Sequence, residues 1–128
     1  LNSSVRFVAT DMFHSPLPED TELFSLVRVL HDHDDQPVSQ LLARLHSALR
    51  PGGHLLIAEP MAGTAGAEPI GDTYFGFYLW AMGSGRPRTA EELKAMCFAA
   101  GFTGVREFKT PIPALTRLLV AEKAEDSQ

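Results

Sequence analysis

Apolar and polar positions along this chain follow two rhythms, and the switches between them mark out its elements. Val5 to Ala9 alternates and is rich in valine and phenylalanine, which predicts a first strand ending at Thr10-Asp11-Met12-Phe13. His14 to Asp20 carries two prolines and reads as a loop. Leu23 to Leu30 is nearly continuous in its apolar character, as expected of a strand covered on both faces. The rhythm then changes. Val38, Leu41, Leu42, Leu45 and Leu49 recur at helical spacing, predicting a helix with one buried stripe. Asp34 or Asp35 can cap that helix, and Pro37 is tolerated in its first turn. Pro51-Gly52-Gly53 stops it, and His54 to Glu59 reads as the next strand.

Met61 to Ile70 is a loop rich in glycine and alanine, and Asp72 to Met82 reads as a short aromatic helix. Thr89-Ala90-Glu91-Glu92 has the form of a capping box opening another helix, which buries Leu93, Met96, Cys97 and Ala100 and ends at Gly101. Gly104 to Lys109 and Leu115 to Ala121 are the last two strands, joined by a turn with two prolines. The order β-loop-β-α-β-α-α-β-β predicts an α/β fold: a parallel sheet with helical cover, closed by an antiparallel hairpin.

Composition narrows the function classes. A chain of 128 residues fits one domain able to bury a core without staples. The net charge is −5 and the 11 basic residues are scattered, which argues against a nucleic-acid or anionic-membrane partner. The single cysteine, Cys97, excludes an intramolecular disulfide and fits a reducing, cytoplasmic setting. No apolar run approaches the roughly 20 residues of a spanning helix. The chain opens Leu1-Asn2-Ser3 without an initiator methionine, directly before a strand, and the expectation is that it begins partway through a larger protein.

The candidate chemistry gathers at strand ends. Leu30-His31-Asp32-His33-Asp34-Asp35 closes the second strand, and Glu59 closes the third. In an open α/β sheet, residues following the carboxyl ends of successive strands share one rim, so Asp11, His31 and Glu59 are expected together. A carboxylate at Glu59 accepting from one imidazole nitrogen would leave the other as a general base. The same string also fits the H-x-H-x-D pattern of metallo-hydrolases. Completing a metal shell needs histidines further downstream, and none follows His54. Asp11-Met12-Phe13 reads either as a turn leading into the core or as a nucleotide edge, with a carboxylate for an amino donor and apolar cover for the ring. Tyr74, Phe77, Tyr78 and Met82 share one helical face, as core or as the wall of an apolar pocket. Asp32, Asp34 and Asp35 read as helix capping and solvation. The glycine pairs make turns, and none has the spacing G-x-G-x-x-G.

Taken as blocks, Thr10-Asp11-Met12-Phe13, Val27-Arg28-Val29-Leu30-His31-Asp32-His33, Leu49-Arg50-Pro51-Gly52-Gly53 and Glu59-Pro60-Met61-Ala62-Gly63 resemble the S-adenosylmethionine-dependent O-methyltransferases of the caffeate and acetylserotonin type. Tyr74-Phe75-Gly76-Phe77-Tyr78, Ala81-Met82-Gly83 and Arg86-Pro87-Arg88-Thr89 extend the resemblance, which is greatest toward the bacterial carotenoid branch acting on hydroxyneurosporene. It implies a doubly wound, Rossmann-like methyltransferase sheet, of which this chain is the carboxyl-terminal part: residues 1–122 a partial catalytic domain, residues 123–128 a polar tail that frays. It also implies roles. His31 matches the catalytic base and Glu59 an acidic residue that orients it. Asp11 and Met12 match the pair contacting the adenine of S-adenosylmethionine. Tyr74, Phe77, Tyr78 and Met82 fall where relatives line the acceptor pocket. Asp32 is assigned to the acceptor side, where it also helps to orient His31. The implied acceptor is a small apolar molecule with a hydroxyl group, such as 1-hydroxyneurosporene, drawn from a membrane that holds it; the alternatives are a phenolic or polyketide acceptor, or a non-catalytic fragment descended from such an enzyme. Dimerisation and the glycine-rich cofactor loop belong, in the family, to segments preceding Leu1. Two positions depart from the plant pattern: Pro87 stands where a second acidic residue is usual, and Val27 where a lysine near the cofactor is common.

Overall fold

The computed structural model describes residues 4–65 and 80–126. Its elements run β1 (Thr21–Val27), a 3-10 turn (Leu30–Asp32), α1 (Asp35–Ala48), β2 (Leu49–Glu59), α2 (Ala90–Ala99), β3 (Gly104–Phe108) and β4 (Arg117–Glu122). The sheet order is β1-β2-β4-β3. β1 and β2 are parallel, with Leu26 opposite Ile57; β4 is antiparallel to both β2 and β3. The expected α/β sheet with its closing hairpin is the observed one.

Both helices pack on one face of the sheet. Val38, Leu41, Leu42 and Leu45 of α1 meet Leu55, Ile57 and Leu119 of the sheet and Leu93 and Cys97 of α2 in a single core. The helical period of α1 and the two-residue period of β2 each deliver one apolar face to that core. Burial pushes the Cys97 thiol up to about 12, so it is inert packing.

Four expectations change in the structure. Val5 to Ala9 forms no strand, and Phe7 is 96% exposed: no neighbouring strand among the described residues supplies the hydrogen bonds a strand needs. β1 stops at Val27 rather than Leu30, because Arg28 takes a left-handed backbone (φ 56°) and turns the chain. β2 begins at Leu49, so Pro51-Gly52-Gly53 lies inside a strand instead of before one. There the β1–β2 register shifts between Thr21 and Leu23, and the Gly52 amide donates to the carbonyls of Lys123 and Ala124. The polar tail is tied down at its start, since Lys123 Nζ donates to the carbonyls of His46 (2.9 Å) and Leu49 (2.7 Å). Most of the expected aromatic helix lies outside the described residues; Trp80, Ala81 and Met82 are helical.

The α2 start follows the sequence closely. Thr89 Oγ1 accepts from the Glu92 amide and Glu92 Oε1 accepts from the Thr89 amide, both at 3.0 Å. Thr89→Ala is expected to cost about 1 kcal/mol, read as a lowered denaturation midpoint with an unchanged slope. At the other end of the core, the His46 ring packs edge-on against Phe102 at 5.0 Å. Burial, then the Lys123 charge, holds this imidazole below its ordinary 6.5. The unfolded chain therefore binds the proton more readily. Stability is full above pH 6.5 and declines as pH falls through the lower folded-state value. Melting temperatures between pH 7.5 and 5 should show this decline, and His46→Gln should flatten it.

Candidate active site

The site is a rim built from the chain that leaves β1 and β2. After the left-handed Arg28, whose amide donates to Ala58 O, the chain closes a 3-10 turn through Asp32 N–H to Val29 O and His33 N–H to Leu30 O. That turn buries Leu30 and His31, the latter only 5% exposed. Glu59, the last residue of β2, is fully buried beside it. Its Oε1 accepts from the Leu30 amide at 3.1 Å, and its Oε2 has no hydrogen-bond partner among the described residues.

The imidazole lies between two carboxylates. Nδ1 of His31 faces Glu59 Oε1 at 3.8 Å, and Nε2 lies 3.2 Å from Asp32 Oδ1, whose side chain is exposed. Glu59 and Asp32 thus address opposite nitrogens of one ring. The buried carboxylate is placed to fix the ring, and the exposed one stands at the nitrogen open to the rim.

Asp11 and Met12 reach the same rim. Phe13 packs edge-on against the His33 ring at 4.9 Å, which joins their loop to the His31 turn. Arg44 of α1 donates to the carbonyls of Met12 and Ser15 and fixes the loop from below. Asp11 makes a local turn: Oδ1 accepts from the Phe13 amide (2.8 Å) and Oδ2 pairs with His14 Nδ1 (2.7 Å). Those bonds, His14 first, hold its carboxyl below the usual range and keep it ionised. Each oxygen retains a lone pair for an amino donor, and Met12 beside it is half-buried against the core. Met82 is exposed on the helical turn preceding Gly83, while Tyr74, Phe77 and Tyr78 lie outside the described residues.

One participant was not foreseen. Arg88 is fully buried, yet it appeared in the sequence only as part of a block. Its Nη1 donates to Leu30 O (2.9 Å), its Nη2 to His33 O (2.8 Å), and its Nε to Asp35 Oδ1 (3.0 Å). Arg86 meets the same Asp35 and also Glu92. Hydrogen bonds from Arg86, then Arg88, pull the Asp35 carboxyl below its ordinary range. The acidic cluster is therefore more than capping and solvation. Asp34 occupies the N-cap of α1, where its carbonyl accepts from the Val38 amide but its side chain makes no cap bond; its Oδ1 accepts instead from the Gly85 amide at 2.9 Å. A pair of arginines just before a capping box was the available signal, legible only once a facing carboxylate was known. Among the described residues, no group of three or more His, Cys, Asp or Glu is arranged to hold a metal ion, and no helix is long and apolar enough to cross a membrane.

A buried histidine–carboxylate pair thus stands on the carboxyl rim of a parallel β-α-β unit, beside the loop that carries Asp11 and Met12, at the edge where open α/β sheets bind ligands. Comparison with known proteins identifies the family. Residues 1–103 match the O-methyltransferase domain model, and the chain belongs to that family. It is 48% identical over 108 residues to demethylspheroidene O-methyltransferase of Rhodobacter capsulatus, covering 84% of this chain and 28% of that protein. It is 40% identical over 102 residues to mouse acetylserotonin O-methyltransferase, covering 80% of this chain and 26% of that protein. The crystal structure of human N-acetylserotonin methyltransferase in complex with SAM superposes with a TM-score of 0.85 at 27% identity, over 97% of this chain and 35% of that one. The chain thus spans under a third of the length of these two relatives.

Glu59 has a structural duty separable from any chemical one. Glu59→Ala strands the buried Leu30 amide and should cost about 1–3 kcal/mol, whereas Glu59→Gln keeps an acceptor there and should stay near the parent in thermal unfolding.

Proposed function

We propose that this chain is the carboxyl-terminal part of an S-adenosylmethionine-dependent O-methyltransferase whose acceptor is the hydroxyl of a hydroxycarotenoid such as 1-hydroxyneurosporene. The observation that carries the reading is His31, buried with one ring nitrogen toward Glu59 and the other at the rim beside Asp32. Family membership supports the reaction class. The 48% identity to the demethylspheroidene enzyme supports the carotenoid acceptor.

S-adenosylmethionine, when bound, supplies an electrophilic sulfonium methyl group. Asp11 and Met12 would hold its adenine, the carboxylate as an acceptor for an amino group and the thioether as apolar cover. His31 would take the acceptor's proton at Nε2 as the carbon–oxygen bond forms and the methyl–sulfur bond breaks, with S-adenosylhomocysteine as the leaving group. An aliphatic alcohol is a far weaker acid than an imidazolium, so the proton leaves during bond formation rather than before it. Glu59, buried on the opposite side of the ring, favours the imidazolium as it develops. Asp32 is exposed and moves aside from Nε2 to admit the hydroxyl. Tyr74, Phe77, Tyr78 and Met82 would supply apolar contact to a carotenoid, whose burial stabilises by about 25 cal/mol per Å².

A second reading keeps the reaction and changes the acceptor to a phenol, supported by the 40% identity to the acetylserotonin enzyme. Methyl transfer from labelled S-adenosylmethionine, offered 1-hydroxyneurosporene and N-acetylserotonin in parallel to the protein as encoded, separates the two. Product from the hydroxycarotenoid alone is expected. His31→Ala should lower that rate by about 10²–10⁴-fold, and an unchanged rate would remove His31 as the base.

A further inference from the structure

We propose that the segment Ser84–Arg88 is a positioning strap that sets His31 against Glu59, with Arg88 and Gly85 as its fixing points. The proposal rests on the reading of His31 as the base. The strap meets every residue from 30 to 35. Arg88 donates to the carbonyls of Leu30 and His33, on either side of the histidine, and to the carboxylate of Asp35. Ser84 Oγ donates to Asp32 O at 3.1 Å, and the Gly85 amide donates to Asp34. Gly85 also touches the His31 backbone itself. A Cβ added there would lie 2.1 Å from His31 O and 2.7 Å from the Asp32 carbonyl carbon, and its φ is +85°. Only glycine fits that approach.

Arg88 registers both partners of the pair. Its side chain holds the turn that carries His31, and its backbone carbonyl accepts from the Ala62 amide at 2.9 Å, three residues beyond Glu59. The His31 turn also contains the left-handed Arg28, a conformation that persists only where its surroundings over-determine it. The strap has no repetitive structure of its own and precedes α2 rather than forming part of it. Its bonds go to residues 30–35, apart from those of Arg86 to Glu92 and of the Arg88 carbonyl to Ala62. In a site where the ring nitrogen and Glu59 Oε1 stand 3.8 Å apart, small shifts of that turn decide whether the pair closes.

The test uses the protein as encoded, with steady-state methyl transfer to 1-hydroxyneurosporene and nitrogen-15 NMR of the histidine rings. Arg88→Gln should lower kcat by about 10- to 100-fold and leave KM for S-adenosylmethionine near the parent's. It should displace the His31 ring signals and the acidic limb of the pH–rate profile while the His46 signals stay put. Arg88→Lys, which keeps the charge without the fork, should recover part of each effect. Should Arg88→Gln fail to fold, Asp34→Ala removes the Gly85 bond and leaves the buried guanidinium; the same changes are expected, smaller. Folded variants with parental His31 signals and pH profile would overturn the proposal, even if their melting temperatures fall. His31→Ala with full activity would instead remove the reading beneath it. If the parent transfers no methyl to this acceptor, the ring signals decide alone.

Discussion

The buried guanidinium of Arg88 is the constraint on which the rim depends. A charge taken out of water is tolerated only when its donors are fully spent on good acceptors. Here those acceptors are two carbonyls of an irregular turn and a carboxylate at the start of α1. The dependence is mutual. Without the arginine, the Leu30 and His33 carbonyls lose their donors; without the turn, the charge has no reason to be inside. Asp35 makes the arrangement tolerable, because it stays partly in solvent while neutralising Arg88 and sharing Arg86. The cost of desolvation falls on one partner only.

That arrangement also explains the uneven treatment of the two carboxylates around His31. Glu59 is fully buried and anchored to the Leu30 amide, so its position is set by the same turn that sets the ring. Asp32 is exposed; its backbone carbonyl accepts from Ser84 and its side chain lies 3.2 Å from the ring. One carboxylate is buried with the ring and the other stands in solvent at its opposite nitrogen. The 3.8 Å separation from Glu59 Oε1 is longer than a hydrogen bond.

Legibility followed the range of the interaction involved. The α1 stripe and the Thr89 capping box rest on residues within a turn or two of one another, and the sequence disclosed them with their partners. The rim was legible for a different reason: in a parallel β-α-β unit, topology alone sends His31 and Glu59 to the same edge. Reading failed where a distant partner decides. Val5 to Ala9 has the composition of a strand, but a strand is defined by its neighbour. Pro51-Gly52-Gly53 looks like a stop until Lys123 and Ala124 supply acceptors from more than 70 positions away. Arg88 was hidden most thoroughly, since its acceptors lie more than 50 positions upstream and an arginine is ordinarily assigned to the surface.

The continuous apolar run of β1 illustrates the same point from the other side. Its pattern calls for cover on both faces, and among the described residues α1 and α2 cover one. Phe24 and Leu26 turn toward the helices, while Leu23 and Val27 are more than half exposed on the opposite face, in line with the exposed Phe108 of β3. The site does not draw on that bare face. Its loop at 11–15, its turn at 28–33, the end of β2 and the strap at 84–88 are bonded to one another and to α1. Those bonds all run within this stretch of chain, which spans under a third of the relatives it resembles. What the bare face governs is how the whole is covered, and what the strap governs is where the histidine points.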